Sequence, residues 1–200
     1  MARQAWIAAA RIADLGPQAL AQARRGLGPR DRRRYAGFRS EKRKREFLAG
    51  RALLQEMGVR FDSSSAGDIR VQGRGGASVS HARGWVACVV VSTGRPGIDI
   101  EPMIERDFAK LGEWQFGRSC AKKEFYELWT RYEARVKAFG DGAARRSHAE
   151  RTWFLDGRVA LSACVPRSSR FSFLPASRSL RPSATRRAAQ WSPSTATSGE

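Results

Sequence analysis

The sequence predicts an α+β fold, and three stretches carry that expectation. Trp85–Val91 is a continuous valine-rich apolar run of strand length. Gly97-Ile98-Asp99-Ile100-Glu101 is a second short extended segment, alternating apolar and acidic side chains. Lys122–Phe139 has apolar residues spaced three and four apart, the period of a helix with one buried side. With 200 residues, 42% of them hydrophobic and 10% aromatic, the chain can bury one substantial core or a pair of small ones.

Taken in order, Ala2–Ala13 matches neither period and Pro17–Arg25 reads as a helix. A longer helix is expected over Glu41–Met57, where Phe47, Leu48, Leu53, Leu54 and Met57 supply an apolar side and Gly58 closes it. Phe61–Gly76 reads as loop with a short strand at Asp68–Gln72. Thr93-Gly94-Arg95-Pro96 is expected to turn the Trp85–Val91 strand back into Ile98–Glu101, making a hairpin. In the last helix the buried stripe is expected to be Phe125, Leu128, Trp129, Tyr132, Val136 and Phe139, with Gly140-Asp141-Gly142 as its stop.

The chemistry lies in the acids of these segments. In an extended chain alternate side chains share a face, so Asp99 and Glu101 project together while Ile98 and Ile100 turn away. Two carboxylates aimed at one point repel unless a proton or a cation relieves them, and oxygen-only donors suit a hard ion such as Mg2+. Glu133 and Lys137 are four apart and add a third acid and an ammonium on one helical face. Taken alone, a Glu before a Lys at that spacing is ordinarily a surface pair worth a few tenths of a kcal/mol.

Other chemistries are poorly supplied. Cys88, Cys120 and Cys164 are odd in number and far apart, which fits neither a disulfide framework nor a zinc ribbon. His81 and His148 are too few for a histidine-rich metal site. No run approaches the roughly 20 apolar residues of a membrane span, and the N-terminal apolar stretch is too short for a signal peptide, so the chain reads as cytoplasmic. The net charge of +18 points either to a polyanionic partner or to compositional bias. Basic residues crowd Arg24 to Arg51 against Asp31, Glu41 and Glu46, and nucleic acid is the default partner of such a run. Helix-turn-helix, zinc-finger and RNA-recognition patterns are nevertheless absent from the sequence.

Gly97-Ile98-Asp99-Ile100-Glu101 followed by Trp129-x-x-x-Glu133-Ala134-x-x-Lys137, with Val79-Ser80-His81-Ala82 upstream, resembles the signature blocks of the 4′-phosphopantetheinyl transferases of the surfactin-synthetase-activating type. Phe38–Leu54, with Arg45, Phe47, Leu48 and Arg51, looks like the basic N-terminal helix of that family, so that Arg30 to Gly142 is covered. The resemblance implies an α+β fold of similar N- and C-terminal halves meeting at a cleft for coenzyme A. It implies transfer of the phosphopantetheine arm to a serine of an apo acyl or peptidyl carrier protein, by a monomer. By the same likeness Asp99, Glu101 and Glu133 ligate Mg2+, Glu133 and Lys137 serve catalysis, and Arg51, Arg74, Ser80 and His81 hold the coenzyme. Tyr132 stands where the family commonly has a lysine, and Gly75 where it has a proline after the basic residue matched by Arg74.

The division expected is 1–96 for the N-terminal half, 97–165 for the C-terminal half and 166–200 for a tail. That tail is rich in Ser, Arg, Ala and Pro with Glu200 its only acid, and is expected to be disordered because it cannot bury enough apolar surface to offset chain entropy. The composition shifts near Arg158, as a changed reading frame or a degraded C-terminus would make it. The alternatives are a non-catalytic basic protein that binds nucleic acid and a degenerate, inactive transferase.

Overall fold

The computed structural model describes residues 3–64, 68–71, 73–140 and 148–175. In chain order they form β1 (Arg3–Arg11), α1 (Pro17–Arg25), α2 (Pro29–Ala36), α3 (Glu41–Glu56), β2 (Phe61–Ser63), β3 (Ile69–Val71), β4 (Gly76–Ala82) and β5 (Trp85–Val91). Then follow β6 (Gly97–Pro102), α4 (Phe108–Phe116), α5 (Lys122–Phe139), β7 (His148–Leu155), β8 (Val159–Pro166) and β9 (Ser169–Pro175). The fold is α+β, as expected.

The strands make two sheets, one of six in the order β2-β3-β4-β5-β1-β9 and one of three in the order β6-β8-β7. Period-two alternation sorts the large sheet's side chains into two cores. Ala8, Ala10, Val86, Cys88 and Val90 face Leu53 and Leu54 of α3. Ala5, Ile7, Ala87, Val89 and Val91 face the other way, onto Ile98, Ile100, Leu161, Ala163 and Val165 of the small sheet. On the far side of that sheet lies α5, with Tyr126 packed by Ala160, and Ala134 and Ala138 by Cys164. The layers therefore run α3, large sheet, small sheet, α5. Each Ile, Leu or Val buried between the sheets contributes roughly 1.5–3 kcal/mol.

Four local expectations are corrected. The hairpin does not form: β5 already pairs with β1 on one edge and β4 on the other, so β6 has no free edge there and pairs with β8 instead. The stripe on α5 is rotated, with Phe125, Tyr126, Thr130, Ala134 and Ala138 inward and Tyr132 43% exposed. Small residues face the sheet because Gly97 comes so close that a Cβ on it would lie 1.8 Å from the Ala134 carbonyl oxygen. Within Phe61–Gly76 the expected short strand is met by β3, but Phe61–Ser63 forms a second, β2, where loop was expected; Gln72 lies outside the described residues.

The last correction concerns the tail. The shift of composition near Arg158 does not break the fold at once, since β8 is buried along its whole length. β9 then runs parallel to β1, in register from Arg3 opposite Ser169 to Ala9 opposite Pro175, and Trp153 meets Phe171 edge-on at 5.6 Å between ring centres. The tail therefore does not begin at residue 166, and a strand from beyond the 97–165 half completes the sheet of the N-terminal half. Residues 176–200, like Asp141 and Gly142 of the α5 stop, lie outside the described residues.

Candidate active site

β6 positions the first two acids. Ile98 and Ile100 are driven into the core between the sheets, which turns Asp99 and Glu101 toward α5. Asp99 is 5% exposed. α5 brings Lys137 over it: the ammonium donates to Asp99 Oδ1 at 2.7 Å and to Ser80 Oγ at 3.0 Å, while Ser80 Oγ donates to the same Asp99 oxygen at 2.9 Å. Three elements, β4, β6 and α5, thus close a triangle of serine, carboxylate and ammonium. Lys137 reaches to Asp99 and not to Glu133, so the simple surface pair is not what forms.

Asp99 Oδ2 is buried and has no hydrogen-bond partner. A buried carboxylate oxygen left bare is costly, and a site where ions or substrate arrive is a common reason for one. The neighbouring acids feel its charge. Burial first, and Asp99 second, push the Glu101 carboxyl up to about 7, against the pull of Lys137, Arg83 and Arg106. Burial and then Asp99 likewise raise Glu133, with Lys137 opposing. Among the described residues no three His, Cys, Asp or Glu side chains are arranged to hold a metal ion. The donor chemistry nonetheless fits a hard cation: the candidates are all carboxylate oxygens, one of them unpartnered, and two acids hold protons more tightly because of burial first and the charge of the third second.

Lys137 is also in the wall of a cavity of about 280 Å³ whose other charged walls are Arg34, Glu46, Arg51, His81 and Arg95, with Asp68. His81 lies within 3.2 Å of Arg43 Nη1 and 3.8 Å from Glu46 Oε2; burial, with Arg43 and Lys137, keeps its ring below the ordinary histidine range. Arg51 lines the same cavity but is itself buried, bonded through Nε and Nη2 to both oxygens of Asp31 at 2.6 and 3.0 Å and to Ser63 at 3.1 Å, with Phe47 stacked 4.5 Å from its guanidinium. Arg51 therefore ties α3 to α2 as well as facing the cavity.

The remaining expected residues are less well gathered. Ser80 is 6% exposed and bonded as above, outside the cavity wall. Arg74 is exposed on the loop before β4, bridged to Thr93 through its backbone, and does not line the cavity. Arg34 and Arg95 were hidden in the general basic excess of the sequence, and only their neighbours in space single them out. A second cavity, of about 240 Å³, opens beside Glu101 between Arg83, Arg106, Trp114 and Trp129. Asp99 thus lies between the two, bonded to Lys137 of the first and two residues from Glu101 of the second.

No protein-family model matches the chain. It is similar to the 4′-phosphopantetheinyl transferase HetI of Nostoc sp. (strain PCC 7120 / SAG 25.82 / UTEX 2576), 30% identical over an alignment of 155 residues that takes in 69% of this chain and 65% of the relative. The chain thus spans somewhat less than two thirds of the curated relative's length. That likeness agrees with the motif blocks on β4, β6 and α5, whose serine, aspartate and lysine converge in space although they are up to 57 residues apart in sequence. On this ground the chain belongs to the 4′-phosphopantetheinyl transferase family.

Proposed function

We propose that the protein transfers the phosphopantetheine arm of coenzyme A to a serine of an apo carrier protein. The observation that carries this reading is a cationic cavity ending at Lys137, whose ammonium sits on a buried aspartate with one bare oxygen. A nucleotide carrying a pyrophosphate and a further phosphate suits walls made of Arg34, Arg51, Arg95 and His81. The cavity beside Glu101, with Trp114 and Trp129, is where an acceptor carrier would approach from the other side.

The bond that forms joins the acceptor serine oxygen to the phosphorus bearing pantetheine, and the bond that breaks is the pyrophosphate bridge. Adenosine 3′,5′-bisphosphate leaves. Positioning and charge stabilisation supply most of the acceleration in such a displacement. Glu133, whose proton affinity burial and then Asp99 raise, accepts the serine proton. Lys137 offsets the charge gathering on the departing phosphate, and Asp99 with Ser80 keeps it aimed. Asp99, Glu101 and Glu133 would hold Mg2+, which when bound neutralises pyrophosphate charge.

Purified protein incubated with apo carrier protein, coenzyme A and Mg2+ is expected to raise the carrier's mass by one phosphopantetheine arm. Asp99→Ala and Lys137→Met are expected to abolish the gain. A carrier of unchanged mass after incubation with the parent protein rejects the reading, and salt-dependent DNA binding in its place would favour the basic binding protein.

A further inference from the structure

Across the small sheet a row of hydroxyls faces α5 beside the site. Ser162 of β8 stands opposite Asp99 of β6 in register, and Thr152 of β7 stands opposite Ser162. Ser162 and Thr130 of α5 are wholly buried. Ser162 Oγ lies 2.7 Å from Thr130 Oγ1 and 2.8 Å from Thr152 Oγ1. Each hydroxyl has one proton to give, and the two ends of the row fix which way each proton points. Thr130 gives its own to the Tyr126 carbonyl at 2.8 Å, so its contact with Ser162 is made with the Ser162 proton. Thr152 in turn supplies the proton between itself and Ser162, while accepting from Arg131 Nε at 2.9 Å. The row therefore runs one way, from the Arg131 cation to a helix carbonyl, and the Ser162 hydroxyl has nothing left to give to Asp99.

That commitment bears on the bare carboxylate oxygen. Side chains opposite each other on neighbouring antiparallel strands are about 4.5–5.5 Å apart at Cβ, within reach of a hydrogen bond from serine to carboxylate. Ser80 and Lys137 take Asp99 Oδ1 from β4 and α5, yet Oδ2 has no partner although its cross-strand neighbour carries a hydroxyl. We propose that Thr130 is a positioning residue: by holding the Ser162 proton it keeps Asp99 Oδ2 free to receive a divalent cation. This rests on the reading above in which Asp99 is a cation ligand of the transferase. Without the Thr130 hydroxyl the Ser162 proton turns to Oδ2, and an arriving cation has to displace it.

The test titrates the full chain with Mg2+ alone in a calorimeter, comparing the parent with Thr130→Val, which keeps the shape of the side chain without its hydroxyl. Mg2+ affinity should fall on the order of ten- to a hundredfold in this variant, the size of a hydrogen bond to a charged group. Removing the competing donor as well, in Thr130→Val with Ser162→Ala, should restore most of the loss. Thr152→Val takes a hydroxyl from the same row but leaves the Ser162 proton on Thr130, and should bind as the parent does. Equal affinity in parent and Thr130→Val, a double variant as weak as the single, or an equal loss in Thr152→Val overturns the proposal. A parent that takes up no Mg2+ overturns it too, whatever carrier labelling shows. If the expected pattern of Mg2+ affinities is found but the parent modifies no carrier, the transferase reading falls and the role of Thr130 stands. Should Thr130→Val fold poorly, Thr130→Ala carries the same comparison.

Discussion

A methyl group at residue 97 tests whether the close approach of β6 and α5 sets the site. In Gly97→Ala the added carbon would meet the Ala134 carbonyl oxygen at 1.8 Å and the Ala138 nitrogen at 2.7 Å. Both obstacles are helix backbone, so no side chain can swing aside. Reaching ordinary contact at about 3.4 Å requires the strand and helix to part by about 1.6 Å near that point. Overpacking of this kind costs about 1–3 kcal/mol, which lowers the melting temperature of a chain this long by roughly 2–12 °C. The larger consequence is chemical. Asp99 is two residues from the wedge on one element, and Lys137 is within a turn of Ala134 and Ala138 on the other, so the 2.7 Å contact between them opens. A displacement of about 1 Å can cost on the order of a hundredfold in rate. Carrier labelling followed by intact mass, with calorimetric melting of the same samples, reads both effects. A variant that melts with the parent and labels at its rate would show that this backbone contact does not govern the site.

Two further perturbations probe charge and burial. Glu101 holds its proton up to about 7 in the folded protein but near 4.5 when unfolded, so its contribution to the stability of the metal-free protein is complete below 4.5 and falls by about 1–2 kcal/mol, allowing for screening, as pH rises through 7. Urea melts at pH 5 and 8 should show this slope in the parent and a flatter one in Glu101→Gln; equal slopes refute the assignment. Arg51→Ala strands Asp31, whose carboxyl is pushed up by burial but pulled below its ordinary range by Arg51, and should cost about 3–5 kcal/mol in urea melts. Replacing the pair together, Arg51→Met with Asp31→Leu, should recover most of that loss; a single variant as stable as the parent would show that the pair is dispensable.

Elements with a strong local signal were legible from the sequence. α1, β5 and α5 fall on the bounds that proline, valine content and helical period set, and α3 ends one residue before its expected stop. What required the third dimension was pairing. Whether β6 lies beside β5 depends on which edges are taken by β1 and β4, which no window around Gly94 encodes. The inner face of α5 was misread because Ala134 and Ala138 score as weakly apolar, whereas their smallness is what admits β6. α4 escaped notice although Asp107 caps it, accepting from the Lys110 N–H at 3.2 Å, and Gly117 ends it in a left-handed turn. β9 was lost in composition averaged over a long Ser- and Arg-rich stretch that conceals Phe171 and Phe173. For the site, spacing alone put Asp99 and Glu101 on one face and Glu133 and Lys137 on another, the resemblance brought the two together, and the engagement of Ser80 and Arg51 by other side chains could not be read from a motif.

The parallel seam between β1 and β9 has a consequence for synthesis. A ribosome makes the first strand early and its second neighbour roughly 160 residues later. Through that interval the nascent chain presents an open strand edge carrying Ile7 and a run of alanines, the kind of template that invites pairing with a neighbouring polypeptide. Expression yield should therefore respond to chaperone supply and growth temperature. Any shortening that removes residues 169–175 would leave that edge uncovered for the life of the molecule.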